Sequence, residues 1–330
     1  MAAEARFRAM GSDVQVVVVG GPPSLPGLGW RFVEDLEARW SRFRPDSEVS
    51  RMNEMAGRPV HVSGQTLRLV ELSVEGARVT GGWYDPTVLG AVLRAGYDRS
   101  FELLSERSTG ANSPLSRGYE AILVDPIAST VTLPRGVGFD PGGIGKGLAA
   151  DLLCEELLAL GAEGCCVNVG GDLRVQGTPP RGDSWTIRVE HPGHPEPAAV
   201  VGLLDGAVAT STRARRTWGP AADRRHHLID PSTGRPARTG VLSASVVAAR
   251  AWQAEVLAKG LFLAGPRDGL DLLRATGTEG LLVDDAGAVH RSAGLVRFTG
   301  SPVISPPPPD TAEAAEAAEA VPVLAGPATR

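Results

Sequence analysis

The stretch FDPGGIGKGLAADLLCEELLALGAEGCCVNVGGDLRVQG, residues 139–177, carries the strongest structural information in the chain. An acid, Asp140, precedes four closely spaced glycines and one lysine, Lys146. A helix-like run over 147–160 follows, and then a β-like run that ends in Gly-Gly-Asp at 170–172. Glycines let a backbone approach an anion, a helix start offers N–H groups, and lysine adds a positive charge. The stretch is typical either of a phosphate or pyrophosphate pocket or of a plain strand–turn–helix junction.

Two short nucleotide-binding signatures are absent from this stretch. The P-loop pattern GxxxxGK[ST] fails because Gly147 follows Lys146. The dinucleotide pattern GxGxxG fails because Leu148 stands where its third glycine belongs. The glycine cluster alone therefore does not identify the ligand.

The composition of the whole chain is that of a globular protein without affinity for nucleic acid. Its 330 residues are 42% hydrophobic and 22% charged, with a net charge of −5 and no basic run interleaved with aromatic residues. The start MAAEARFRAMGSD lacks an apolar segment of signal-peptide length, and the apolar run 14–19 is too short to cross a membrane. We therefore expect a cytoplasmic protein that contacts neither membranes nor nucleic acid.

The three cysteines, Cys154, Cys165 and Cys166, are too few for a disulfide framework. Cys165 and Cys166 are adjacent in an apolar run and would point to opposite faces of a strand. We expect buried thiols rather than a redox or metal site.

The pattern of apolar residues predicts more strands than helices, and most strands follow one another directly. This order favours an α+β fold with mixed or antiparallel sheets and flanking helices over a doubly wound sheet. One folded domain is predicted over 1–300, followed by a disordered tail at 301–330 that is rich in Pro, Ala and Glu. Helices are expected at 28–43, after a cap at Asp46 or Ser47, and at 64–80, 147–160, 251–264 and 267–276. Strands are expected at 13–20, 120–133 as a hairpin, 164–170, 173–177, 184–190, 199–204, 242–248 and 279–299, with loops at 97–118 and 207–238.

Eight segments occur in the order that is typical of one protein family. They are MGSDVQVVVV (10–19), SRFRPDSEVSRMNE (41–54), GGWYDPTVLGAV (81–92), FDPGGIGKGLAAD (139–151), VNVGGDLRVQG (167–177), ATSTRARRTW (209–218), HHLIDPSTGRPA (226–237) and VVAARAWQAEVLAKGLFLAG (246–265). Together they resemble the ApbE family of FAD:protein FMN transferases over about residues 8–298. Each segment alone is a weak match, whereas the complete ordered set is specific.

The resemblance implies a fold, a reaction and a set of site residues. It implies an ApbE-like fold with an FAD pocket between two lobes, and transfer of FMN from FAD to a threonine or serine hydroxyl of an acceptor flavoprotein, with release of AMP. It implies Mg²⁺ beside the pyrophosphate, with the carbonyl of Gly143 at a metal-ligand position. The FAD contacts that carry over are Met10, Trp83, Tyr84, Asp85, Asp140, Lys146 and His227, and His227 falls at the reacting centre.

These residue types suit the chemistry that the resemblance implies. Phosphoryl transfer requires that the negative charge of the transferred group be neutralised, which Lys146 and a bound cation would do. An imidazole near neutral pKa, at His227, can take the proton of the acceptor hydroxyl. The alternatives are a structural role for His227 and a turn- or helix-capping role for Asp85.

The chain departs from the pattern of the family at several positions, among them Pro141 for a leucine and Leu148 for a tyrosine, and two departures bear directly on the site. The second metal-binding acid of the family falls at Glu255, but the threonine four residues later is Lys259, on the same helix face. A buried lysine is costly unless it is paired or faces an anion. We therefore hypothesise that the Lys259 ammonium stands where the metal would sit and that Glu255 neutralises it. The second departure is Thr212 in place of the glycine of A-T-S-G, which leaves a turn or a functional role open for Thr210 and its neighbour Ser211.

The altered metal motif keeps two other functions open. The chain could bind FAD without transferring it, as a flavin carrier or regulator. It could also be a pyrophosphatase that splits FAD into FMN and AMP.

Overall fold

A computed structural model of the chain describes residues 2–104, 118–220 and 224–299. The predicted tail at 301–330 and most of the predicted loop at 97–118 lie outside these ranges, and the proposed domain boundary stays a prediction. The α-helices are α1 (Leu25–Trp40), α2 (Glu48–Glu54), α3 (Gly64–Val79), α4 (Leu89–Arg94), α5 (Gly145–Ala159) and α6 (Ala251–Thr276).

The strands of the described residues pair in antiparallel fashion throughout. They are β1 (Ala2–Ala9), β2 (Ser12–Val19), β3 (Val60–His61), β4 (Leu123–Asp125), β5 (Thr130–Thr132), β6 (Gly164–Val169), β7 (Asp172–Gly177), β8 (Trp185–Val189), β9 (Ala199–Leu203), β10 (Gly206–Thr212), β11 (Thr217–Trp218), β12 (Arg225–His226), β13 (Ile229–Asp230), β14 (Arg235–Pro236), β15 (Val241–Ala248), β16 (Glu279–Asp284) and β17 (Val289–Arg291).

One eight-stranded sheet, in the order β1-β2-β6-β7-β10-β15-β16-β17, organises the molecule. Apolar side chains on one face pack against α1, α5 and α6, and those on the other face pack against the β8–β9 hairpin. A second core joins α1, α2 and α3 to the small β3-β5-β4 sheet. The predicted α+β fold with antiparallel sheets and flanking helices is therefore confirmed.

Two tight turns lie at the same end of the main sheet. Met10 and Gly11 link β1 to β2 with φ of 51° and 60°, and Gly170 and Gly171 link β6 to β7 with φ of 64° and 99°. Positive φ at both central residues matches the twist of a two-residue hairpin, and glycine adopts it without steric cost. Val14 of β2 pairs with Val169 of β6, so both turns point to one edge of the molecule.

Helices α5 and α6 touch where their first turns meet. A Cβ atom at Gly147 would lie 2.3 Å from the carbonyl oxygen of Ala251, so only glycine permits this approach. The carboxylate of Asp151 accepts the backbone N–H groups of Ala251 and Trp252, both at 2.9 Å, and thereby caps α6. Burial raises the pKa of Asp151 to about 6, and these two hydrogen bonds oppose the rise. The junction fixes the face of α6 that carries Glu255.

Asn53, at the end of α2, holds the backbone in front of α5. Its side-chain amide donates to the carbonyl oxygen of Phe139 at 2.9 Å, and its side-chain oxygen accepts the Phe139 N–H at 2.7 Å. This pair of hydrogen bonds fixes the residue that precedes Asp140. The glycine-rich turn is therefore anchored on both sides, by Asn53 before it and by α6 behind it.

Several local predictions are confirmed. Ser47 and Ser63 cap α2 and α3 by accepting the N–H groups of Ser50 and Thr66. The long helix α6 is interrupted at Gly265, with φ of 82° followed by Pro266, as the two predicted helices imply. The hairpin around Asp125 is also present, as strands β4 and β5.

Three local predictions are wrong or incomplete. The region 207–238 was expected to be loop, but β10 lies between β7 and β15 inside the sheet. Its β-branched residues, Val208, Thr210 and Thr212, alternate with small ones, so a strand pattern is present although it is short and contains no aromatic residue. Thr210 and Ser211 therefore belong to a strand rather than to a turn. The edge strand β1 was not expected either, because charged residues alternate along it.

The cysteines also differ from expectation. Cys154 of α5 and Cys165 of β6 are buried and joined by a disulfide, so the expectation of three thiols is wrong. Adjacent sequence positions gave no hint of this pair, because it forms only when α5 packs on β6. Cys166 is free, and burial raises the pKa of its thiol to about 12.

Among the described residues, we find no helix whose length and apolar character would let it cross a membrane.

We predict that Asn53→Ala destabilises the fold by about 1–3 kcal/mol, because it removes two hydrogen bonds and leaves both Phe139 backbone groups without their partner. Urea unfolding followed by circular dichroism measures this loss. Asn168→Ala, which removes one bond to Gly171 on an exposed turn, is the matched control and should cost less. Unchanged stability of Asn53→Ala would contradict the anchoring role.

Candidate functional site

A cavity of about 310 Å³ opens where the core of the main sheet meets the second core of α1–α3. Its walls come from the β1–β2 turn, from the end of α1, from 83–101, from the glycine-rich turn and from α6. The predicted site residues that line it are Met10, Trp83, Tyr84, Asp85, Asp140, Gly143, Lys146, His227 and Lys259. Glu255 lies directly behind this lining.

Lys146 is held by two carboxylates. Its ammonium forms ion pairs with Asp172 and with Glu255, the latter at 3.2 Å. Burial lowers the pKa of Lys146, and the negative charge of Glu255 opposes that shift. The charge of Lys146 is therefore largely balanced inside the protein. Asp172, which the sequence did not single out as a site residue, is 2% exposed and reaches Lys146 from the start of β7.

Glu255 occupies the anion-binding position at the start of α5. One of its oxygens accepts the N–H of Gly147 at 2.7 Å, and the other pairs with Lys146. A helix N-terminus stabilises negative charge, so this carboxylate is well placed. The helix-start N–H group of Gly147, which was expected to serve a phosphate, is thus satisfied by the protein itself.

Lys259 lies one helical turn beyond Glu255 and reaches the glycine-rich turn. Its ammonium donates to the carbonyl oxygen of Gly142 at 3.4 Å, and a Cβ atom at Gly143 would lie 2.3 Å from it. The ring of Tyr84 is 6.0 Å away. Burial lowers the pKa of Lys259, while Glu255 and Asp140 oppose the shift. Within the described ranges no carboxylate forms an ion pair with Lys259. Glu255 pairs with Lys146 and acts on Lys259 through its charge alone, so its neutralising role stays a prediction.

The residues at this position do not fit a magnesium ion. Divalent cations of this kind need several oxygen ligands, usually with one or two carboxylates. Both oxygens of Glu255 are engaged by protein groups, and the ammonium of Lys259 stands beside Gly143. No cluster of three or more acidic, histidine or cysteine side chains suited to a metal occurs in the part of the chain that the structure describes.

His227 presents an unpaired nitrogen. Its Nδ1 atom is buried and has no hydrogen-bond partner among the described residues. Burial, followed by the charge of Lys259, holds the pKa of His227 well below its usual range, so the ring is neutral at pH 7. The neighbouring His226 differs, because its Nδ1 accepts the Leu228 N–H and its Nε2 bonds the Ala237 carbonyl oxygen. His227 is therefore a weaker base than the near-neutral imidazole expected from the sequence, and its unpaired nitrogen distinguishes it from His226, whose two nitrogens have structural partners.

The opposite end of the cavity combines aromatic rings with an arginine. The guanidinium of Arg42 lies 4.1 Å from the ring centre of Phe43 and 4.6 Å from that of Tyr97. It also lies 3.6 Å from the carboxylate of Asp140. Flat aromatic and guanidinium surfaces of this kind can stack on a planar ligand.

The remaining predicted contacts have local structural partners as well. The Met10 N–H donates to the carboxylate of Glu37 at 2.7 Å. Asp85 is 3% exposed and accepts the N–H of Thr87 at 2.7 Å, which is the turn-capping role left open by the sequence.

Two of the arginines that line the cavity are not among the site residues predicted from the sequence. Arg216 donates to the Gly11 carbonyl oxygen at 3.0 Å and to the Ser12 hydroxyl at 2.9 Å, so it closes the β1–β2 turn over the cavity. Arg42 is the other. Position within a matched segment could have indicated both, but arginine is abundant along this chain and neither spacing is distinctive.

The chain is similar to known proteins over most of its length. A model of the ApbE family matches residues 10–282. The FAD:protein FMN transferase of Vibrio cholerae serotype O1 is 29% identical over 277 residues, which cover 81% of this chain and 82% of that protein. The FAD:protein FMN transferase of Treponema pallidum is 31% identical over 273 residues, which cover 77% of this chain and 75% of that protein.

Solved structures are similar over almost the whole folded part. The crystal structure of the ApbE protein from Thermotoga maritima has a TM-score of 0.83 and 29% identity, and covers 91% of this chain and 100% of that one. The flavin transferase ApbE from Vibrio cholerae has a TM-score of 0.75 and 25% identity, and covers 90% of this chain and 100% of that one. Because the family match spans well over half of the sequence, the chain belongs to the ApbE family.

Proposed function

We propose that this chain transfers FMN from FAD to a serine or threonine hydroxyl of an acceptor protein and releases AMP. The observation that carries the proposal is the unpaired, neutral His227 in the wall of a cavity that also presents the ammonium of Lys259. Such a site joins a proton acceptor to a positive charge, which phosphoryl transfer requires. The relatives named FAD:protein FMN transferase support the assignment of the substrate.

The reaction balances without a further reactant. The acceptor oxygen forms a bond to the phosphorus of the FMN half, and the bond between that phosphorus and the bridging oxygen of the pyrophosphate breaks. The hydroxyl proton passes to the neutral imidazole of His227. AMP leaves with the bridging oxygen. The protein contributes position and charge rather than a covalent intermediate, which is usual for phosphoryl transfer.

Each part of the cavity has a role in this proposal. The aromatic end with Arg42 would hold planar rings of FAD, together with Trp83 and Tyr84. Met10 and Asp85 would complete the wall around the flavin. The glycine-rich turn between Asp140 and Lys146 would follow the pyrophosphate, because it carries little side-chain bulk.

Magnesium, when bound in a phosphoryl-transfer enzyme, neutralises charge on the phosphates. The residues at the implied metal position do not fit it here, and no step above uses it. A cytoplasmic location stays a prediction of the sequence.

The test of the function is incubation of the purified chain with FAD and candidate acceptor proteins. Intact-mass spectrometry of the acceptor and chromatography of the nucleotides are the measurements. An acceptor that gains FMN while AMP appears supports the proposal. AMP with free FMN and no labelled protein would indicate a pyrophosphatase, and bound FAD without AMP would indicate a carrier; either result overturns it.

We predict that His227→Ala lowers the rate of FMN transfer by about 10²–10⁴-fold, the usual contribution of a general base. Affinity for FAD should fall much less than the rate, because the proton transfer occurs only during the reaction. His61→Ala, at an exposed residue of β3, is the control and should keep the full rate. A rate within experimental error of the unsubstituted chain would remove His227 from the mechanism.

We also predict an acid-shifted pH profile. An imidazole can accept a proton only above its own pKa, and burial lowers the pKa of His227 well below the ordinary value of 6.5. The transfer rate should therefore stay constant from neutral pH to about pH 6.5 and decline only at more acidic pH. Stopped assays across this range measure it. A midpoint at or above pH 6.5 would contradict the burial of the unpaired nitrogen.

A further inference from the structure

The choice of basic residues in this chain is informative. Of the 33 lysine and arginine residues, only Lys146 and Lys259 are lysines, and both line the cavity. Every other basic position is arginine. Lysine differs from arginine in offering a compact charge with three donors at the end of a slim stem. The chain therefore presents its only two ammonium side chains to this cavity.

The two ammonium groups are in different electrostatic situations. Lys146 is enclosed by the carboxylates of Asp172 and Glu255. Lys259 has the Gly142 carbonyl oxygen as a neutral and rather distant partner at 3.4 Å. A half-buried charge without a carboxylate beside it is costly unless an anion completes the site. Lys259 is thus the cation whose charge remains available to a ligand.

The structure around Lys259 gives this ammonium its place. Gly143 has no side chain, and a Cβ atom there would lie 2.3 Å from Nζ and 2.8 Å from the ring of Tyr84. Lys259 lies on α6 three residues from the buried Val256 and three from the buried Phe262. The ammonium therefore emerges at the backbone of the glycine-rich turn, at the position that the resemblance gives to a metal ion.

We propose that the Lys259 ammonium binds the pyrophosphate of FAD directly and takes the place of a divalent cation, so that FAD binding and FMN transfer need no Mg²⁺. This inference rests on the proposed function. Lys259 neutralises the phosphates by hydrogen bonds and charge, and it forms no covalent bond in the reaction. Lys146 has a positioning role, since it holds Glu255 and keeps that carboxylate from repelling the ligand.

The other charged groups of the cavity fit these different roles of Lys146 and Lys259. Glu255 is tied to Lys146 and to the N-terminus of α5, and Asp172 is tied to Lys146. Asp140 lies beside the guanidinium of Arg42. The carboxylates closest to the glycine-rich turn are therefore matched by fixed cations, and Lys259 adds positive charge toward the cavity.

The experiment measures the affinity of the full chain for FAD by titration calorimetry, once with EDTA and once with Mg²⁺. The unsubstituted chain should bind FAD equally well in both. Lys259→Met, which keeps the length of the side chain and removes its charge, should weaken binding by roughly 10- to 100-fold in both solutions. Arg274→Met is the matched control, because it removes an exposed positive charge from the same helix outside the cavity.

The outcomes separate this inference from the proposed function. Binding of FAD by the unsubstituted chain that requires Mg²⁺ would overturn the inference and leave the function intact. So would FAD affinity of Lys259→Met equal to that of the unsubstituted chain. Failure of the folded, unsubstituted chain to bind FAD in either solution would overturn both. If Lys259→Met does not fold, the comparison of EDTA with Mg²⁺ on the unsubstituted chain still decides.

Discussion

The carboxylate of Glu255 is the contact on which the arrangement of the cavity depends. It joins two helices that are more than 100 residues apart in sequence, because one oxygen receives the Gly147 N–H at the start of α5 while the other pairs with Lys146. The same contact fixes the orientation of α6 about its own axis. Because Lys259 lies one turn after Glu255 on the same face, it then reaches the glycine-rich turn. Glu255 is 4% exposed, so its charge is tolerable only with both partners in place. Loss of either partner would leave a buried, uncompensated charge.

Much of the fold could be read from local chemistry. The starts of α2 and α3 follow from serine caps, and the interruption of α6 follows from a glycine and the proline after it. These residues act within one turn of the chain, so their effect can be predicted from the sequence. The elements that were predicted wrongly depend on residues that are distant in sequence. The small residues of β10 form a strand because β7 and β15 flank them, and charged β1 pairs only because β2 offers a free edge. The bond between Cys154 and Cys165 likewise depends on how α5 rests on β6.

The sequence predicted which residues form the candidate site better than it predicted which of them contact one another. Family-like segments gathered almost all of the residues that line the cavity, from Met10 to Lys259. The sequence places Lys259 one helical turn from Glu255, so it could not show that Glu255 forms its ion pair with the distant Lys146 instead. Asn53 also lies in a matched segment, but its two hydrogen bonds to the Phe139 backbone can be seen only in the structure. Partner choice among charges is a property of the assembled structure.

The missing side chain at Gly143 couples two parts of the chain that are far apart in sequence. A Cβ atom there would lie 2.3 Å from Nζ of Lys259 and 2.8 Å from the ring of Tyr84. The flexible end of a lysine can move aside, whereas the ring of Tyr84 is buried in the core. A larger residue at 143 would therefore displace the ammonium from the glycine-rich turn and also press on the packing behind it.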